Sequence, residues 1–467
     1  MRLVMKFGGT SLGAGSEIRC AASTVRNYSQ QRNKIVVVVS AMSGVTDKLI
    51  EAAGEVTLRN RDSTRLFLKN LEERHAQASR DAIISSEILD QTLASLNGQI
   101  AELENVLIGI GYLGELTSRS KDYVISFGEK LSTIVIAGAL KDLGLRAEYF
   151  LGGQCGIVTD NCFGEAKPLM NITKQQVKEK LAPIFEAGVI AVVTGFTGAT
   201  QEGQTTTLGR DGSDYTATIL GAALQVDEVW IWKDIDGLMT ADPKVEPSAK
   251  TIPLLSFAEA MEMAYFGAKA IQAKALELAW ESGIPIRVKN TFNLDGSGTL
   301  IVEKPQVRSE RVVKAVTMIN NVALITVSGG GMVGVPGIAA KVFSVIGEKN
   351  INVLMISQGS SEANISFIIP RSGLENAVNA LELSLLGKGF VKEVTPETKV
   401  CIVTVVGAGM KGTPGVAARV FKAIANQGVN IRMIAQGSSE LSISFVVEDS
   451  DGIKAVRALH EEFRLNC

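Results

Sequence analysis

The chain has 467 residues, too many for one compact core, so about two to four domains are expected. Its 47 Lys plus Arg nearly offset its 49 Asp plus Glu, which argues against the basic field that nucleic acid or an anionic membrane surface would require. Small molecules are the expected partners.

The opening MRLVMKFGG carries no apolar segment long enough for a signal peptide or a membrane span, so a cytosolic location is expected. The first strand-like run ends in VMKFGGTSLG, residues 4–13, where Lys6 stands beside Gly8, Gly9, Thr10 and Ser11. A lysine next to a turn with accessible N–H groups suits an anion, yet a P-loop places its lysine after the glycines. The segment reads either as another kind of phosphate site or as a tight strand-to-helix turn with a surface lysine.

The β-branched runs at 34–40, 189–196, 228–234 and 284–290 alternate with helical patterns, which predicts a mostly parallel sheet covered on both faces. Ligands gather at the carboxyl ends of such strands. Residues 47–142 mix charged and apolar residues at helical spacing and predict a helical excursion off the sheet. The loop SAMSGVTDKL from Ser40 offers Ser40, Ser43 and Thr46, as a ligand floor or as a helix N-cap.

Farther on, TTTLGRDGSDYTATILGAAL from Thr205 brings Arg210 close to Ser213 and Asp214. Arginine grips a carboxylate bidentately and an aspartate holds an ammonium, so the pair suits the two charged ends of an amino acid; the alternative is Asp214 as a helix cap with Arg210 as its surface partner. WIWKDIDGLMTADPK from Trp230 carries Asp234, Asp236 and Asp242, for magnesium, a nucleotide sugar or Asx-turns. FGAKAIQ places Lys269 either toward a phosphate or in solvent.

The last 150 residues contain an internal repeat of 78 residues, one copy starting at Val322 and the other at Val400. Each copy reads strand, glycine turn, helix, strand, polar turn, strand, which predicts a pair of small α+β domains. Five scattered cysteines, Cys20, Cys155, Cys162, Cys401 and Cys467, are read as free thiols. The two histidines, His75 and His460, lie in charged helical stretches and are expected at the surface. With so few histidines, a nucleophile that is already ionised fits best.

KFGGTS, SFGEKLS, TLGRDGSD and FGAK, in that order and followed by the doubled module, resemble aspartokinase, the amino acid kinase family member that phosphorylates the β-carboxylate of aspartate with ATP. The likeness runs essentially the whole length. It implies an α/β fold, with an amino acid kinase-like, mostly parallel sheet covered by helices over residues 1–305. Two α+β ACT domains (βαββαβ) then follow at 316–393 and 394–467.

By the same resemblance Lys6 contacts the transferring phosphoryl group, with Phe7, Gly8 and Gly9 beside the phosphates. Thr46, Glu129, Arg210, Ser213 and Asp214 fall where the family binds aspartate, Arg210 on the α-carboxylate and Asp214 or Glu129 on the amino group; Lys6 and Asp214 are the catalytic pair. Lys233, Asp234, Met239, Lys244, Lys269 and Ala270 occupy nucleotide-side positions, with ATP and Mg2+ as the implied cofactors and no metal ligands assigned. An effector, threonine or lysine, is expected in the first ACT copy at Met332, Gly334, Asn352, Val353, Gln358 and Asn364. The second copy keeps Asn430 and Gln436 but has Ser442 instead of the last asparagine, and is assigned to assembly as a homodimer or homotetramer.

The chain departs from the family pattern on the nucleotide side. Asp211 replaces a glycine, Lys233 a threonine, Met239 a tyrosine and Lys244 an arginine, and Gln272 and Ala273 replace a histidine and a proline. These changes leave a second reading, an amino-acid-sensing regulatory subunit without kinase activity. A different acceptor such as glutamate also stays open. A fused dehydrogenase is not expected, because nothing follows the repeat.

Overall fold

The computed structural model describes residues 1–56, 61–268, 270–305, 311–387 and 389–466. The chain divides into two compact units: residues 1–238, 253–257 and 270–305 in one, and 239–252, 258–269 and 306–467 in the other.

In the first unit the strands are β1 (Arg2–Phe7), β2 (Lys34–Val39), β3 (Ala147–Phe150), β4 (Ile190–Thr194), β5 (Thr197–Ala199), β6 (Thr205–Thr207), β7 (Glu228–Lys233), β8 (Leu254–Ser256), β9 (Ile286–Asn290) and β10 (Thr299–Val302). Among the described residues, eight of them form one sheet in the order β3-β4-β2-β1-β7-β9-β10-β8, parallel except where β10 meets β9. The central strands β1, β2, β4 and β7 are buried almost throughout, as β-branched runs covered by helices on both faces must be. The four apolar runs read from the sequence are β2, β4, β7 and β9.

The helices of this unit are α1 (Gly15–Gln30), α2 (Val45–Val56), α3 (Arg61–Ala82), α4 (Ser86–Leu113), α5 (Ser118–Ile125), α6 (Phe127–Asp142), α7 (Met170–Lys180), α8 (Ala182–Glu186) and α9 (Gly212–Leu224). The expected excursion over residues 47–142 corresponds to α2 through α6. Helix α6 is buried from Phe127 through Leu140, as an all-round apolar helix must be. The stretch Ser118–Asp142 is apolar and long enough to cross a membrane, but 94% of its most apolar window is buried inside the fold. His75 in α3 is fully buried rather than on the surface: its Nδ1 stands 2.8 Å from the Leu71 carbonyl, and burial pushes its pKa down to about 4.

Strand β1 is followed in sequence by β2, which lies on one side of it, whereas the next parallel neighbour of β7, strand β9, lies on the other. The carboxyl ends of β1 and β7 therefore flank a topological switch point, where open α/β sheets leave a crevice for ligands.

Most of α10 (Phe257–Tyr265) belongs to the second unit and α11 (Ala273–Glu281) to the first; the second unit then carries β11 (Ala315–Ser328), α12 (Ile338–Glu348), β12 (Met355–Gln358), β13 (Asn364–Pro370), α13 (Leu374–Leu385), β14 (Glu393–Val406), α14 (Val416–Asn426), β15 (Met433–Ala435), β16 (Ser442–Glu448) and α15 (Gly452–Glu462). Helices α14 and α15 repeat α12 and α13 at a displacement of 78 residues.

The copies share two long strands. The second part of β11 pairs with β13 and with the start of β14, whereas residues 315–319 of β11 pair with residues 402–406 of β14, beside β16. The second copy is thus completed by a strand segment that precedes the first. Apolar residues of both copies, including Leu324, Ile368, Ile402 and Val446, meet in one shared cluster. His460 is also buried, against the surface expectation, with Nε2 2.9 Å from Thr240 Oγ1.

Candidate functional site

Strand β1 delivers Lys6 to the crevice, and the parallel register sets it opposite Ile231 of β7. Gly8 follows in extended alignment and donates its N–H to the Trp232 carbonyl at 3.1 Å. That donor is spent on the sheet, so the expected pair of phosphate-facing glycine N–H groups narrows to Gly9, whose N–H has no acceptor among the described residues. A Cβ on Gly9 would lie 2.9 Å from the Ala41 carbonyl, so the turn needs glycine there to sit against the loop after β2. Phe7 does not face a ligand with its ring, which is fully buried and stacked on Trp232.

Helix α9 brings Asp214 to Lys6. Lys6 Nζ stands 2.6 Å from Asp214 Oδ1, and Lys233 Nζ, at the end of β7, stands 3.3 Å from Asp214 Oδ2. Burial alone would raise the Asp214 carboxyl, but the two lysines outweigh it and hold it below the usual carboxylate range. Burial also lowers the Lys6 ammonium against the pull of Asp214, and Lys233 adds to the lowering. Asp214 is therefore the charged centre of the site and not the helix cap; Asp211 holds the cap position. Gly195 permits this packing, because a Cβ there would meet Ser213 Cβ at 2.6 Å.

Glu129 opens α6 on the other side. Its Oε1 accepts the Ala41 N–H at 3.0 Å, whereas its buried Oε2 has no hydrogen-bond partner among the described residues. Burial pushes this carboxyl up to about 8, offset in part by the Ala41 N–H and by Lys6. A buried oxygen without a partner is costly and marks a place where a ligand's N–H group would be received. Gly128 lets the helix approach: a Cβ there would fall 2.7 Å from Ala41 Cβ.

Arg210 is exposed, and its guanidinium makes no ion pair among the described residues. Its loop is held at both ends. Gln272 Nε2 donates to the Arg210 carbonyl at 2.8 Å, and Asp122 fixes β6 just upstream. Asp122 Oδ2 accepts from the N–H groups of Gly164 and Thr207, both at 2.9 Å, and Oδ1 accepts from Thr207 Oγ1 at 2.8 Å. Sequence reading missed Asp122: nothing in SKDYVIS separates it from a solvated helix carboxylate.

Thr46 is half-buried in the first turn of α2, Ser213 and Ala270 are buried, and Asp234 is exposed just after β7. Asp236 is structural, its Oδ1 accepting from Asn290 Nδ2 and Asn293 Nδ2 at 2.9 Å each. Asp242 forms a turn by accepting the Lys244 N–H at 2.9 Å. Met239 and Lys244 belong to the second unit, and Lys269 lies outside the described residues. Among the described residues no group of three or more His, Cys, Asp or Glu side chains stands at metal-binding spacing.

In the first copy of the repeat Asn352, Gln358 and Asn364 are exposed and Val353 is half-buried. Met332 is not at a surface: it is 2% exposed and packs in the apolar cluster beneath α12 and α13. The N–H of Gly334, another of the expected effector positions, donates to Glu362 Oε2 at 2.9 Å. The second copy repeats the contact, Gly412 N–H to Glu440 Oε2 at 2.6 Å.

Known families and proteins resemble the chain over nearly its whole length. The amino acid kinase family model matches residues 1–290, and an ACT domain model matches residues 325–385 and again 403–463. The bifunctional aspartokinase/homoserine dehydrogenase 2, chloroplastic, of Zea mays is 34% identical over 473 residues, covering 99% of this chain and 50% of that protein. Aspartokinase 2, chloroplastic, of Arabidopsis thaliana is 31% identical over 476 residues, covering 98% of this chain and 84% of its own. E. coli aspartokinase III in complex with aspartate and ADP, in its R-state, superposes with a TM-score of 0.83 at 27% identity over 99% of both chains. The same protein with lysine and aspartate, in its T-state, gives 0.78 at 28% identity, again over 99% of both. The chain belongs to the amino acid kinase family and, within it, to the aspartokinases. It spans about half the length of the bifunctional curated relatives it matches.

Proposed function

We propose that this chain is an ATP-dependent kinase that phosphorylates the β-carboxylate of L-aspartate to 4-phospho-L-aspartate, the first step toward lysine, threonine and methionine. The observation that carries the reading is the Lys6–Asp214–Lys233 cluster at the switch point, with the unpartnered Glu129 oxygen and the unpaired Arg210 in the same unit. An aspartate side chain, with a pKa of about 3.9, is already a nucleophile at neutral pH and needs no base. The barrier is electrostatic, an anion approaching a polyanion, and Lys6, Lys233 and the Gly9 N–H offset that charge. Arg210 holds the α-carboxylate and Glu129 or Asp214 the ammonium, which aligns the β-carboxylate with the terminal phosphorus. Magnesium arriving with the nucleotide supplies further charge neutralisation on its phosphates.

In this reading residues 1–305 are the catalytic domain, and 316–393 and 394–467 are the two ACT modules. A threonine or lysine effector binds the first module at Asn352, Val353, Gln358 and Asn364. The chain assembles as a homodimer or homotetramer through its ACT modules, and the location is cytosolic.

The test is a reaction with ATP, magnesium and aspartate in hydroxylamine, which traps an acyl phosphate as the hydroxamate. Lys6→Ala is expected to cut turnover about a hundred- to a thousandfold. No hydroxamate from the unaltered chain, with either aspartate or glutamate, would reject the kinase. One observation favours the sensor reading instead: Lys233 already fills the second oxygen of Asp214. Threonine or lysine binding by calorimetry, without ATP binding, would establish that reading.

A further inference from the structure

The two lysines hold Asp214 unequally. Lys6 makes the shorter contact, 2.6 Å, and its side chain is 7% exposed; Lys233 stands at 3.3 Å and is 19% exposed; Asp214 itself is 1% exposed. Lys233 is the outermost of the three and carries a compact charge on a flexible stem, so it can re-aim without moving its strand. Its backbone is fixed in the sheet, with Trp232 pairing to Lys289 and Lys233 to Asn290. Two cations on one carboxylate leave the cluster with an excess positive charge, which a polyphosphate would satisfy better than Asp214 does.

We propose that Lys233 is a displaceable counter-ion. It covers Asp214 Oδ2 when the site is empty and transfers to the phosphates when a nucleoside triphosphate binds, uncovering that oxygen for the ammonium group of the acceptor amino acid. The proposal rests on the kinase reading and adds to it an order of assembly. Asp214 Oδ2 becomes a receptor only after phosphate arrives, whereas Glu129 Oε2 is open from the start. Lys233 is thus a positioning residue for the acceptor and a direct contact for the nucleotide. Binding linkage is reciprocal, so each ligand must raise the affinity of the other by the same factor.

Calorimetry on the full chain, with a nonhydrolysable ATP analogue plus magnesium and with L-aspartate, reads this without turnover. Each ligand is expected to tighten the other about tenfold. In Lys233→Met the analogue binds about tenfold more weakly, aspartate alone binds more tightly than to the unaltered chain, and the mutual enhancement disappears. Lys233→Arg restores nucleotide affinity and most of the enhancement. Inorganic triphosphate tests the unaltered chain directly and is also expected to tighten aspartate.

Independent binding in the unaltered chain, or full enhancement retained in Lys233→Met, would overturn the proposal. If that variant fails to fold, absence of any triphosphate effect on the unaltered chain overturns it equally. The two readings separate cleanly: synergy without acyl phosphate sinks the kinase and keeps the counter-ion, and acyl phosphate without synergy does the reverse.

Discussion

Glu129 accepts the Ala41 N–H through one oxygen at 3.0 Å and leaves its other oxygen buried without a partner among the described residues. Because burial pushes this carboxyl up to about 8, it is held protonated near neutrality until a cation reaches it. An incoming ammonium favours the carboxylate, so binding should release a proton. Calorimetry in two buffers of different ionisation enthalpy is expected to show up to about one proton released at neutral pH, with affinity rising until about pH 8. Glu129→Gln should abolish both effects; buffer-independent heats in the unaltered chain would remove Glu129 as the ammonium receptor.

The same group sets a pH dependence of stability. Its folded value near 8 lies above the 4.5 of an exposed glutamate, so the unfolded chain loses its proton first as pH rises. The contribution is fully present below about pH 4.5 and is lost as pH rises through about 8. Denaturant titrations from pH 5 upward should show a decline that Glu129→Gln flattens.

Lys314 Nζ meets Glu259 Oε2 at 2.8 Å in the second unit, and Glu259 Oε1 accepts the Ala408 N–H at 2.8 Å. Both side chains are buried, so removing either takes an opposite charge away from the other in a poorly solvated place. Glu259→Ala or Lys314→Met should each cost about 3 to 5 kcal/mol, and the double variant Glu259→Leu/Lys314→Met much less than their sum. Additive losses in chemical denaturation would show that the pair is not coupled.

Asp122 satisfies three donors at once, two on Thr207 and one on Gly164. Asp122→Ala is expected to cost about 2 to 3 kcal/mol and, by loosening the strand that leads to Arg210, to raise the KM for aspartate more than it lowers kcat. An unchanged KM in a destabilised variant would confine Asp122 to folding.

Asp211 sits at a φ of 58°, the left-handed region that favours glycine. Asp211→Gly should relieve about 1 kcal/mol of backbone strain, seen as a higher denaturation midpoint. A lower midpoint would mean that the carboxylate, which lies near enough to raise the Lys6 pKa, contributes more than the strain costs.

Much of the architecture was legible along the chain. The β-branched runs became β2, β4, β7 and β9, the charged-apolar stretch became α2 through α6, and the 78-residue repeat became two copies of one module. These features follow from periodicity and turn chemistry, which act between near neighbours and are written locally. The repeat did not reveal that residues 315–319 complete the second copy, because strand exchange depends on pairing across the fold.

The site divides in the same way. Residue chemistry picked out Lys6 on one loop and Arg210 with Asp214 on another, and the family resemblance added Glu129 and Lys233. Only the tertiary structure decided that Lys6 and Lys233 share one buried carboxylate, that Gly8 spends its N–H on Trp232, and that Asp122 anchors the arginine loop. It also put His75, His460 and Met332 in the interior, where charged or glycine-rich flanking sequence had pointed to a surface. Residue type sets which charges and donors exist, but desolvation and ion pairing depend on what the folded chain brings within a few ångströms, and no local pattern encodes that distance.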